Sequence, residues 1–175
     1  MKKIICALTF IIAISAYGQQ KEVIDWDKAS VNNKLTLTIS KRDFEKIYKK
    51  ADSIVKPDYS KICGTDADSK FRYVYYKGAM FEEDNGVMNF RHIIFSKKNG
   101  MFFTTNGRKF DSTTSSKDIA ELFPISFNTN EDAQFGGMKN LRAVTIASEN
   151  ADGALWHLYF SKGMLVAIEA HFECE

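Results

Sequence analysis

The sequence predicts an α+β protein in which two units, each a capped helix followed by an antiparallel meander, form one sheet-rich domain. Three observations carry this reading. Segments rich in aromatic and β-branched residues, among them FRYVYYKGAMFEED, VMNFRHIIFSKK, GMFFTTNGRKF, LRAVTIASE, ALWHLYF and MLVAIEAHFE, are separated by turn signals. Two stretches, SKRDFEKIY from Ser40 and SSKDIAELF from Ser115, share one helix-start pattern 75 positions apart. And HIIFSKKNGM, from His92, is echoed by HLYFSKGM, from His157.

Taken in order, the chain begins MKKIICALTFIIAISAYGQQ, with two lysines, an apolar run and then the small residues Ala16 and Gly18. That layout is a secretory signal peptide over 1–18, cleaved before Gln19. Its apolar run falls short of the roughly 20 residues that span a bilayer, and no later segment is long or uniform enough, so no membrane span is expected in the mature chain. The expected location is periplasmic or secreted. Residues 19–34 read as a polar lead-in, anchored by Val23, Ile24 and Trp26, and residues 35–175 as the single domain, with halves at about 35–111 and 112–175.

KLTLTIS alternates as a short strand with Leu35, Leu37 and Ile39 on one side. Ser40 then sits where a helix N-cap belongs, Asp43 follows as its capping partner, and Ile39 and Phe44 have the spacing of a hydrophobic staple. Phe44, Ile47, Tyr48 and Ala51 fall on one helical face, and the helix should stop before Pro57. The three aromatic segments after residue 70 follow as a meander with bends at Asn85-Gly86, Asn99-Gly100 and Asn106-Gly107. Ser115 caps the second helix, Pro124 closes it, NTNEDAQFGGMKN reads as a long surface loop, and three more strands end the chain.

The helix echo and the hairpin echo occur in the same order, as an internal duplication would leave them. Serine caps and SKxG turns also arise independently wherever helices start and hairpins bend. Under the duplication reading, His92 and His157 occupy equivalent strands.

Composition narrows the function. Of 24 basic residues, 22 remain once Lys2 and Lys3 are removed, against 22 acidic ones. A formally neutral chain without a dense Lys/Arg run lacks the basic face that nucleic-acid binding requires, so no nucleic-acid partner is expected. There is no GxSxG and no glycine-rich phosphate loop, and the sequence names no catalytic residue or cofactor. HxxxH, HExxH and CxxC are absent too, so the sequence points to no metal. Export places Cys63 and Cys174 in an oxidising setting, where a disulfide between them is expected; closing about 110 residues, it would contribute on the order of 4 to 5 kcal/mol in the chain-entropy account.

Aromatic residues are the remaining excess. Two alternating faces cannot both be core in a chain this small, so some of Tyr73, Tyr75, Phe90, Trp156 and Tyr159 should project outward beside His92, His157, Glu169 and His171. Aromatic side chains beside polar ones supply hot-spot area for a protein partner. These nine residues are the candidate binding set. Under the other reading, helices cover one face and a second sheet layer covers the other.

The capped helix SKRDFEKIYKKADS, its meander, and the second helix and meander resemble the tandem-repeat β-lactamase inhibitor proteins and the small outer-membrane assembly lipoproteins. The resemblance is architectural, over residues 35–173. It implies a concave sheet presented to a protein partner, and it carries over no individual residue. The expected function is therefore an exported, non-enzymatic binding module, such as an inhibitor or immunity protein that masks a toxin or hydrolase. The rival from another class is a cone-shaped α+β enzyme or ligand binder whose pocket is lined by His157, Glu169 and His171.

Overall fold

The computed structural model describes residues 22–62 and 69–172. The expected signal peptide and cleavage point, and both cysteines of the expected disulfide, Cys63 and Cys174, lie outside the described residues. The elements run β1 (Val23–Asp25), β2 (Ser30–Val31), β3 (Leu35–Thr36), β4 (Thr38–Ser40), α1 (Lys41–Ile47), β5 (Ser53–Val55), β6 (Arg72–Tyr76), β7 (Ala79–Asp84), β8 (Val87–Ile94), β9 (Phe103–Thr105), β10 (Arg108–Phe110), α2 (Ser116–Leu122), α3 (Pro124–Asn128), β11 (Glu131–Phe135), β12 (Met138–Glu149), β13 (Ala154–Ser161) and β14 (Met164–Phe172).

A ten-stranded sheet dominates, with the main order β1-β12-β13-β14-β8-β7-β6-β5. Two meanders, β5 to β8 and β11 to β14, meet at their last strands, where Ala167, Ile168 and Glu169 pair antiparallel with Ile94, Ile93 and His92. Strand β4 shares the same edge of β8 further along, and β1 runs parallel to the end of β12. The remaining strands, in the order β10-β9-β2-β3, form a small second sheet.

Local chemistry explains the elements that the sequence predicts well. Ser40 Oγ accepts the Asp43 amide at 3.1 Å, and at Ser115 both halves of a capping box are present, with Asp118 Oδ2 accepting the Ser115 amide at 2.7 Å. Asn85 and Gly86 take φ of 48° and 81°, the left-handed pair that a tight two-residue hairpin demands.

Five expectations need correction. The lead-in is more than an anchored segment: Ile24 and Trp26 are buried as expected, but β1 and β2 each also join a sheet, Val31 is fully buried, and Asp25 ties β1 to Asn150 by a 2.9 Å hydrogen bond. KLTLTIS is not one strand, because the chain passes from the small sheet to the large one at Leu37. Helix α1 does end before Pro57, but already at Ile47, so the expected helical face stops short of Ala51 and Ser53–Val55 is free to pair with β6. The expected bend at Asn99 is no hairpin: Asn99 Nδ2 donates to the Ile94 and Lys77 carbonyls at 2.8 and 3.0 Å, and β9 leaves for the second sheet. NTNEDAQFGGMKN contains β11, which folds back on β12 through Gly136-Gly137, and Pro124 opens α3 as well as following α2.

The core lies between one face of the large sheet and a cover made of the small sheet, α1 and α2. Phe81, Phe90, Ile93, Trp156 and Leu158 meet Val31, Leu35 and Phe103 from the small sheet, Phe44 from α1 and Ile119 from α2. The contact is largely aromatic: the Trp156 ring lies 5.3 Å from Phe103 and 5.6 Å from Trp26. Both buried indoles are satisfied, Trp156 by Ser148 Oγ and Trp26 by Thr38 Oγ1.

Candidate functional site

The other face of the large sheet carries the polar residues that the sequence singled out. Strand pairing sets them in one transverse row, Tyr75–Met80–His92–Glu169–His157–Thr145, running from β6 to β12. All are half-buried. Tyr73 and Glu82 flank the row on one side, and Tyr159 and His171 lie next to it on the other strands of the face.

Two of the nine candidates do not belong here, and a third, Tyr159, lies on this face but is buried, only 5% exposed. Trp156 and Phe90 are fully buried in the core, so neither is displayed to a partner. Trp156 points inward by simple alternation with His157. Phe90 and His92, two residues apart, ought to share a face; a β-bulge breaks that rule. Met80 pairs with His92 and Phe81 with Phe90, leaving Arg91 as the extra residue, so Phe90 turns inward and His92 outward. Arg91 instead pairs with Glu82 at 2.8 Å and lies over the Phe172 ring.

The equivalence expected for His92 and His157 also fails. His92 sits on β8, the last strand of the first meander, and His157 on β13, the next-to-last strand of the second. They nonetheless flank the same residue, because Glu169 on β14 pairs with both.

The face is strongly curled. Strands β11 and β8 are four steps apart in the sheet, about 19 Å if it were flat, yet the Phe135 ring lies 5.2 Å from His92. Phe135 also stacks on Tyr159 at 4.6 Å and 19°. The β11–β12 hairpin thus bends over the face and covers Ala143, Tyr159 and Ala167, while Leu141 and Ile94 complete the small apolar cluster beneath it. Sequence reasoning missed Phe135 by taking its segment for a loop. The available signal was the alternation of Ala133 and Phe135 with polar neighbours ahead of Gly136-Gly137.

At the centre of the face is a connected group. Tyr159 Oη donates to Glu169 Oε2 at 2.6 Å, and His157 Nδ1 lies 3.2 Å from the same hydroxyl and 3.7 Å from Glu169 Oε2. The His157 and His171 rings are nearly parallel, 5.1 Å between centroids. Burial pushes the Glu169 carboxyl up, but hydrogen bonds from His157 and Tyr159 and the attraction of His157 and His171 outweigh it, and the net shift is downward. Burial, reinforced by the adjacent Glu169, drives the Tyr159 phenol upward. Burial lowers His92 against the pull of Glu169, which favours its neutral form.

The three residues assigned to an enclosed pocket by the rival reading are therefore together, but His171 is exposed and the group stands on the open part of the face. A separate cavity of about 600 Å³ opens between β9–β10 and the α2–α3 junction, lined by residues including Thr105, Arg108, Phe110, Leu122 and Ile125. Glu22 borders it and accepts the Ile125 and Ser126 amides at 2.8 and 2.7 Å. Among the described residues no helix is long and apolar enough to cross a membrane. Comparison of the chain with family models, with curated proteins and with solved structures finds no match.

Proposed function

We propose that the chain is an exported, non-enzymatic binding module that engages a protein partner through the curled face of its large sheet, as an inhibitor or immunity protein does. The observation that carries this reading is the row Tyr75–Met80–His92–Glu169–His157, which lies half-exposed on a sheet whose opposite face is already filled by a complete core. Of this row, Tyr75 and Met80 are residue types enriched at interface cores, and the histidines and Glu169 add polar contacts held in place by strand pairing. Curvature favours a convex partner surface over a flat one. Export, on the residues of the signal peptide, places that partner in the periplasm or outside the cell.

Duplication suits the same architecture. Gly78-Ala79-Met80-Phe81 and Gly153-Ala154-Leu155-Trp156 begin β7 and β13 at the 75-residue offset that also separates the helix caps Ser40 and Ser115. The concave sheet implied by the resemblance to tandem-repeat inhibitor proteins would arise from two such units joined at β8 and β14.

The test is capture from periplasmic and culture-supernatant extract by the tag-bearing mature chain, beside a Tyr73→Ala/Tyr75→Ala variant and an Ile125→Ala control on α3. A protein retained by the wild type and the control but lost with the tyrosine variant is the expected result. Capture that all three share equally, or turnover of a substrate by the purified chain, overturns the reading.

A further inference from the structure

We propose that His157, Glu169 and His171 form a binding site for a divalent transition-metal ion, Zn²⁺ foremost. The register makes the site: His157 stands directly opposite Glu169 on the neighbouring antiparallel strand, and His171 follows Glu169 by two residues, so all three side chains leave one face. One ligand atom from each lies within 4.8 Å of the other two. Tetrahedral zinc with bonds near 2.1 Å holds its ligand atoms about 3.4 Å apart. Closing the difference requires the two stacked rings to tilt so that their lone pairs converge, and exposed His171 has room to swing.

The surroundings orient the ligands. The Tyr159 hydroxyl donates its proton to Glu169 Oε2, so towards His157 Nδ1, 3.2 Å away, it offers only a lone pair. Nδ1 therefore carries the imidazole proton and Nε2 keeps its lone pair free. Glu169 Oε2 is fixed by the same hydroxyl, which leaves Oε1 and the remaining lone pair of Oε2 as the carboxylate's donors to an ion. This is the outer-shell arrangement in which a fixed tautomer and a hydrogen-bonded carboxylate raise metal affinity. Two neutral imidazoles and one carboxylate suit zinc, nickel or copper rather than magnesium or calcium, which demand more oxygen ligands. The fourth position of a tetrahedral ion would be open to water or to a donor from outside the chain. No close-set His pair advertises the site in the sequence, because its ligands come from two strands. The site stands independently of whether a protein partner docks on the face.

The test is calorimetric titration of the tag-free mature chain, stripped with chelator, with Zn²⁺ alone, paired with thermal unfolding in the presence of Zn²⁺ and then of excess EDTA. One saturable equivalent per chain at micromolar or tighter affinity is expected, with a rise in Tm that EDTA reverses. His157→Ala, Glu169→Gln and His171→Ala should each weaken binding at least about tenfold, while Glu45→Gln, exposed on α1 behind the opposite face of the sheet, leaves it unchanged. His171 is exposed, so His171→Ala keeps the fold and tests the site even if the other two variants misfold. Absence of saturable binding at 100 µM protein, or an unchanged affinity in His171→Ala, overturns the proposal.

Discussion

Replacing Tyr159 with phenylalanine removes one hydroxyl and leaves the ring stacked on Phe135. That hydroxyl is the closest partner of Glu169, at 2.6 Å, and it also faces His157. A hydrogen bond to an ionised group contributes about 1.5–3 kcal/mol. The Glu169 side chain is 25% exposed, so water can reach the vacated oxygen and restore part of the loss. A deficit of about 1–2 kcal/mol at pH 7 follows, which in a domain of this size lowers Tm by about 3–6 °C. The sign of its pH dependence comes from Glu169. Its folded-state pKa lies below the ordinary value of 4.5, so its contribution is present above that value and lost as pH falls through the folded pKa. Without the hydroxyl the carboxyl moves back towards 4.5, and the gap between wild type and variant should narrow below that pH. Urea unfolding at pH 7 and pH 3, with an unchanged m-value, measures both quantities. A deficit under about 0.5 kcal/mol at pH 7, or one that does not shrink in acid, refutes the argument that Tyr159 holds an ionised Glu169.

Gly78 has φ of +90°, and a Cβ there would lie 2.8 Å from the Ile94 carbonyl oxygen and 2.9 Å from Asn99 Nδ2. Gly78→Ala should therefore cost about 2 kcal/mol or more, against about 1 kcal/mol for Gly107→Ala, where nothing lies within 4 Å; equal losses by denaturant unfolding would contradict this. Thr105 is 1% exposed and its hydroxyl has no partner among the described residues. Thr105→Val should thus leave Tm unchanged or raise stability by up to about 1 kcal/mol, and a clear fall in Tm would show the hydroxyl to be satisfied. Asp25 is held at about 2 by hydrogen bonds from Lys28 and Asn150, against the effect of burial, with a further contribution from the Asp27 amide. Its stabilisation is full above the unfolded-state value and disappears as pH falls towards 2, so Asp25→Asn should flatten the loss of stability between pH 4 and pH 2. Parallel acid-unfolding curves for the two proteins would rule that out.

What could be read from the chain alone is what depends on near neighbours. Ser40 and Ser115 announce their helices because a cap is completed within three residues, and Asn85-Gly86 announces its hairpin because two positive φ values leave few alternatives. Strand alternation likewise put Glu169 and His171 on one face of the last strand, whereas only strand pairing aligns them with His157, His92 and Tyr75. Reading failed where one residue changes the phase or where a distant segment decides. The bulge at Arg91 reverses the orientation of Phe90, and no local pattern marks it. Alternation sets Trp156 on the face opposite His157, but only Phe103 and Trp26, arriving from other elements, make that face the buried one. The polar sequence of β11 is that of an edge strand, which resembles a loop until β12 pairs with it. The chemistry at the centre of the face belongs wholly to tertiary structure. His157 and His171 are 14 residues apart and carry no ligand-like spacing, and only the antiparallel register of β13 and β14 brings them, with Glu169, within reach of one ion.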